Sequence, residues 1–155
     1  MAGQYEQKLA QIGITLPEVP KPAANYEPYA IAGNLVFLAG QLCRVDGKIT
    51  HKGKVGREVE PAAAKQAARV CGINLIAALK LACDGDLDRV KRCVSVRGFV
   101  ASDPSFTEMP TVINGTSDLF VEVFGDAGRH SRTAIGIAVL PADCAVEVDA
   151  VFELK

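Results

Sequence analysis

Residues 131–154, "SRTAIGIAVLPADCAVEVDAVFEL", decide the fold. Two runs of alternating residues flank Leu140-Pro141-Ala142-Asp143-Cys144, the pattern of a hairpin of two strands joined by a turn. Successive side chains of a strand point to opposite faces. Odd positions Thr133, Ile135, Ile137 and Val139 therefore match even positions Val146, Val148, Ala150 and Phe152 as one apolar face that packs on helices. The other face carries Arg132, Ala134, Gly136 and Ala138 beside Ala145, Glu147, Asp149 and Val151. Residues this small are unusual on a solvated sheet face and predict the close approach of another surface, that of a second subunit. Arg132 and Glu147 lie on it together. They read either as a structural ion pair or as a guanidinium fork that holds a carboxylate ligand, with a second carboxylate at hand.

Outward from this stretch, the remaining segments supply the other layers. Residues 109–124 have helical character and end at Gly125, a natural helix stop. Residues 90–97 alternate Val90, Arg92, Val94 and Val96 with Lys91, Cys93, Ser95 and Arg97, as a strand does. Ala64, Ala68, Cys71, Leu75, Ala78, Leu79 and Ala82 recur at three- and four-residue steps, which predicts a core-packed helix over 61–83 with Pro61 in its first turn. Two short strands surround Gly33-Asn34, and Asp46-Gly47 marks a further turn. The expected order is β-β-(β)-α-β-α-β-β, an α+β fold with one mixed sheet and both helices on a single face. Ahead of it, residues 4–12 form a short amphipathic segment, and the four prolines of "TLPEVPKPAANYEP" make the next segment an extended arm.

Composition excludes several classes of function. The 155 residues carry a net charge of −1, so the overall balance favours neither nucleic acid nor an anionic membrane. No apolar run approaches the ~20 residues of a membrane helix, and the first ten residues lack the pattern of a secretory signal, so the chain is expected in the cytoplasm. Cys43, Cys71, Cys83, Cys93 and Cys144 are odd in number and widely spaced, with His51 and His130 as the other soft ligands. This spacing points to small buried hydrophobes, with neither a zinc site nor a disulfide framework. No cofactor is expected. Lys48, His51, Lys52, Lys54 and Arg57 form the best case for nucleic acid, but such a run is ordinarily a solvated loop.

At these same residues the chain resembles the YjgF/RidA family, the reactive-intermediate deaminases also called L-PSP endoribonucleases. "SRTAIGIAVLPADCAVEVDAV" is similar to the family's arginine, β-branched strand, Leu-Pro and final Val-Glu-Val strand. "EPYAIAGNLVFLAGQL", "INLIAAL" and "VINGTSDLF" resemble its first strands and two helices, so the likeness spans residues 26–154. It divides the chain into an arm, 1–25, and a YjgF/RidA-like domain, 26–155. The resemblance implies a chorismate-mutase-like fold assembled as a homotrimer, with ligand sites in the clefts between subunits.

The resemblance also implies roles for particular residues. Arg132 would clamp the carboxylate of a 2-imino acid, and Glu147 would activate the water that attacks the imine carbon, a task that needs no metal or cofactor. Tyr29 matches a pocket tyrosine, although an amphipathic interface tyrosine reads equally well. Gly40 matches a glycine whose backbone lies against the ligand. Asn114 matches an asparagine near the subunit contact, with helix capping as the alternative. Two positions depart from the pattern: Ala39 stands where the family has serine, and Ala134 where it has cysteine. Loss of the serine hydroxyl weighs on deaminase efficiency. Hydrolysis of enamine and 2-imino acid intermediates, carboxylate binding without turnover, RNA binding or cleavage, and a chaperone-like or protein-interaction role therefore all stand as readings, with a small carboxylate as the expected ligand and nucleic acid the less favoured partner.

Overall fold

At Gly33, whose φ of 61° lies in the left-handed region, the chain turns from strand β1 (Tyr29–Ala32) into its antiparallel partner β2 (Leu35–Leu42). A second turn at Asp46-Gly47 joins the short pair β3 (Arg44–Val45) and β4 (Lys48–Ile49). This is a computed structural model, and it describes residues 2–155. Helix α1 (Gln4–Gln11) precedes the sheet, and helix α2 (Pro61–Ala82) comes after β4 with proline in its first turn. Strand β5 (Val90–Ala101), helix α3 (Met109–Phe124), strand β6 (Ser131–Ile137) and strand β7 (Val146–Leu154) complete the chain. Among the described residues no helix is long and apolar enough to cross a membrane.

The five-stranded sheet runs β1-β2-β7-β5-β6, and only the β5/β6 pair is parallel. Val36, Leu38, Val96, Val148, Ala150 and Phe152 are all buried on the face that α2 and α3 cover. Both helices share that face, as the apolar periodicities predict. Phe152 anchors the packing, with ring centroids 5.3 Å from Phe120 and 5.7 Å from Phe124 in edge-on geometry. Tyr5 extends the cluster from α1 by meeting Phe124 at 4.9 Å. Beyond α1, Ile14, Leu16 and Val19 pack the proline-rich arm against the core.

One expectation is overturned. β6 and β7 do not form a hairpin, because β5 lies between them. The connection is tied to neighbouring backbone: Gly53 N–H donates to the Asp143 carbonyl, Ala145 N–H to that of His51, and Ala101 N–H to that of Ala145. These bonds carry the chain across the end of β5 and onto its far side. Register is then relayed through β5, where Val96 pairs with both Arg132 and Ala150. Even positions of β6 therefore share the helix face with even positions of β7, and Ile135 is left 42% exposed. The small residues of β6 serve the chain's own packing: a Cβ on Gly136 would lie 2.6 Å from Ser102 Oγ, and Gly98, paired with Ala134, faces Ile113 of α3.

Helix α3 is held at its depth by one close contact. A Cβ on Gly115 would overlap the Lys65 carbonyl oxygen of α2, and the next residue, Thr116, donates its hydroxyl to the Ala68 carbonyl at 2.6 Å. Backbone cannot retreat as a flexible side chain can, so Gly115→Ala must push the helices apart. The expected cost is about 1–3 kcal/mol, or a drop in Tm of roughly 3–10 °C, measured by thermal unfolding. An unchanged Tm would show that this contact does not set the helix spacing.

Candidate functional site

Arg132 projects from edge strand β6 toward α3. Its Nη1 donates to Asn114 Oδ1 at 2.7 Å and to Ser117 Oγ at 3.2 Å. Asn114 and Ser117 are three residues apart and so share one side of the helix, next to the Gly115-Thr116 pair that seats α3 on α2. Behind Ser117 stands His130. Its Nδ1 lies 2.7 Å from the Gly128 carbonyl, which accepts and so places the ring proton there. Nε2 is then an acceptor, and the Ser117 hydroxyl donates to it at 2.8 Å. Burial, joined by the Arg132 charge, holds His130 below its ordinary pKa against the opposing Gly128 bond, which favours this neutral form. The result is a chain of oriented dipoles that points two oxygen acceptors at the guanidinium. Among the described residues no carboxylate forms an ion pair with Arg132, and the side chain is exposed.

Glu147 occupies the other face of the sheet. It pairs with Phe99, which pairs in turn with Ile135, and this row looks away from the helices. β2 shifts register between Leu38 and Gln41, and Gly40 lies in the shift. A Cβ on Gly40 would sit 2.5 Å from Glu147 Oε1, so the missing side chain is the space the carboxylate occupies. Ala39, beside it, is half-buried and donates its N–H to the Pro28 carbonyl at 3.0 Å. Asp149, two residues along, is clamped by Arg97 through bonds of 2.9 and 2.7 Å. Glu147 has no such partner among the described residues. Burial and then the Asp149 charge raise its carboxyl above the ordinary value.

The structure thus divides the predicted residues into groups. Arg132 and Asn114 meet directly, with Ala134 next on the same side of β6, and Ala39, Gly40 and Glu147 cluster at the β2–β7 register shift. Tyr29 belongs to neither: it lines a hollow with Leu16, Val19, Ala77 and Leu81 between the arm and α2. Arg132 and Glu147 do not share a face within one chain, which corrects the parity assignment and excludes an ion pair between them inside a subunit. Ser117 is missing from the sequence reading, and His130 enters it only as a soft ligand beside the cysteines. Their signal was spacing alone: three residues beyond Asn114 on a helix and two before Arg132.

The raised carboxyl of Glu147 has a consequence for stability. A group whose folded pKa exceeds its unfolded pKa destabilises the fold once ionised, so the penalty is full above the folded value and absent below the unfolded one. Glu147→Gln removes the charge at nearly constant shape. It is expected to raise Tm at pH 7 by about 1–2 °C, a gain kept small by solvent screening, and to give no gain at pH 4. Thermal unfolding at the two pH values checks this. A loss of stability at pH 7 would mean that the ionised carboxylate is satisfied in the fold.

Known proteins share this architecture. Residues 6–154 match the family model described as "YjgF/chorismate mutase-like, putative endoribonuclease". Protein TCP17 of Trypanosoma cruzi is 43% identical over 155 residues, covering 99% of this chain and 96% of its own. A crystal structure of a protein of unknown function from Agrobacterium tumefaciens superposes with a TM-score of 0.91 at 46% identity, covering 97% of this chain and 92% of that one. At the level of fold alone, E. coli TdcF with bound serine superposes with a TM-score of 0.65 at 19% identity over 89% and 94% of the two chains. With its mixed sheet and two helices on one face, the chain belongs to the YjgF/chorismate-mutase-like family.

Proposed function

We propose that this chain assembles as a homotrimer and hydrolyses reactive 2-imino acids and their enamine tautomers to 2-oxo acids and ammonia, in clefts between subunits. One observation carries the reading. Arg132 is an oriented cation without an anion, Glu147 is a cradled carboxylate without a cation, and the sheet separates them within a subunit. A second copy set against the uncovered face, where Phe37 is 44% and Ile135 42% exposed, lets Arg132 of one copy approach Glu147 of another. The fold neighbour TdcF holds serine, a small α-amino carboxylate, and a 2-imino acid has the same carboxylate beside the reacting carbon.

The chemistry divides between the two groups. Arg132 holds the substrate carboxylate in two charge-assisted bonds while Asn114 and Ser117 fix the guanidinium plane. That clamp sets the C2 carbon against Glu147. The carboxylate accepts a proton from water as the oxygen bonds to C2 and returns it to the imine nitrogen, giving a carbinolamine; it then takes the C2 hydroxyl proton and passes it to that nitrogen, so that the C2=O bond forms as the C–N bond breaks and ammonia leaves. A carboxyl raised above its ordinary value is a better proton acceptor for this cycle than a fully solvated one.

Ala39 favours a second reading, carboxylate binding without turnover, because its methyl offers no hydrogen bond to a ligand. One pair of measurements separates the two: calorimetric affinity for a small 2-oxo acid, and the decay of a 2-imino acid generated by a coupled oxidase. Arg132→Ala is expected to lose about tenfold or more in affinity and to abolish the acceleration. Glu147→Gln is expected to keep affinity within about twofold and lower the rate at least a hundredfold. Wild-type binding without acceleration would establish the binder, with Ala39→Ser as the restoring change. Wild-type affinity and rate in both variants would overturn the site.

A further inference from the structure

We infer that Cys43 and Cys144 are an oxidisable dithiol, closing to a disulfide with hydrogen peroxide as oxidant, at the ends of the two strands that carry Gly40 and Glu147. The two sulfurs lie 2.9 Å apart, so about 1 Å of closure brings them to the ~2.05 Å of an S–S bond. Cys43 lies just past the end of β2 and Cys144 precedes β7, each three residues from a member of the Gly40–Glu147 cradle. Around them the contacts are specific: Cys43 N–H donates to Cys144 Sγ at 3.4 Å, Cys144 Sγ also lies 3.1 Å from the Val146 carbonyl oxygen, and Cys71 Sγ donates to that carbonyl at 3.4 Å.

The two thiols differ in character. The contact with Cys144 favours the thiolate on Cys43 and draws its thiol down, while the same pairing and burial push Cys144 up. The remaining cysteines are inert by comparison: burial pushes Cys83 up to about 11, Cys93 up to about 12, and Cys71 well up. Both sulfurs of the pair are buried, so the oxidation needs a local opening that admits peroxide.

In the first step the Cys43 thiolate attacks one peroxide oxygen, the O–O bond breaks, and the departing oxygen takes a proton to leave as water. The product is a Cys43 sulfenic acid. In the second step Cys144 sulfur displaces the hydroxyl from Cys43, and the Cys144 proton leaves with it as a second water. The two sulfurs lose two electrons in total and the peroxide gains them.

The test uses the full chain, treated with hydrogen peroxide, denatured in an excess of alkylating agent and mapped by mass spectrometry without reduction. The expected product weighs two hydrogens less, contains one cross-linked peptide pair joining Cys43 to Cys144, keeps three alkylated thiols, and returns to five after dithiothreitol. Cys144→Ser is expected to stop at a Cys43 sulfenic acid trapped by dimedone. Five alkylated thiols after peroxide, a disulfide that includes Cys71 or links two chains, or Cys43 carried to the sulfinic acid beside an intact Cys144 thiol would each overturn the assignment.

Discussion

β6 reaches its place by pairing in parallel with β5, and that pairing turns Arg132 toward α3 instead of toward the open face of the sheet. The Arg132 half of the candidate site depends on this orientation. Because Arg132 looks toward α3, the depth of that helix decides whether Asn114 and Ser117 reach the guanidinium. Depth is set in turn by the absence of a side chain at Gly115. A close helix–helix contact in the core therefore positions a charged group at the edge of the sheet, and steric exclusion does the positioning.

The two half-sites show opposite electrostatic strategies. Around Arg132 the protein supplies neutral acceptors, aligned through His130, so the cation is oriented without being neutralised. Around Glu147 it supplies partial burial and a second carboxylate, which make ionisation harder. Neighbouring Asp149 shows the contrast, since its bidentate contact with Arg97 leaves no charge to spend on a ligand. An arginine given acceptors only and a glutamate given no donor, placed on opposite faces, are the two groups that the proposed pairing between copies would bring together.

Much of the fold was legible because periodicity is a local property. The apolar steps from Ala64 to Ala82 and the alternation after Val90 give α2 and the start of β5, and Gly125 closes α3 where expected. Strand partners are not local. The Leu140–Cys144 segment has the composition of a hairpin turn, yet backbone bonds to His51, Gly53 and Ala101 carry it past β5, and no spacing within residues 131–154 encodes those distant partners. The parity error stems from that one missing fact. Of the candidate residues, Arg132 and Glu147 were picked out by their place in a pattern and Gly40 by the family resemblance, while the Ser117–His130 bond and the Cys43–Cys144 contact arise only when separate segments meet in space.

The central claim is that one site draws Arg132 and Glu147 from different copies, and subunit mixing tests it most directly. Arg132→Ala and Glu147→Gln chains, each inactive alone, are unfolded together in equal amounts and refolded. In a cyclic trimer three-quarters of the random products are mixed, and each mixed trimer regains one intact cleft of three, so about a quarter of the wild-type imine-hydrolysis rate is expected. Mass spectrometry under native conditions verifies that mixed trimers form. Mixed trimers with no recovered activity, from a wild type that is active, would contradict a site shared between copies.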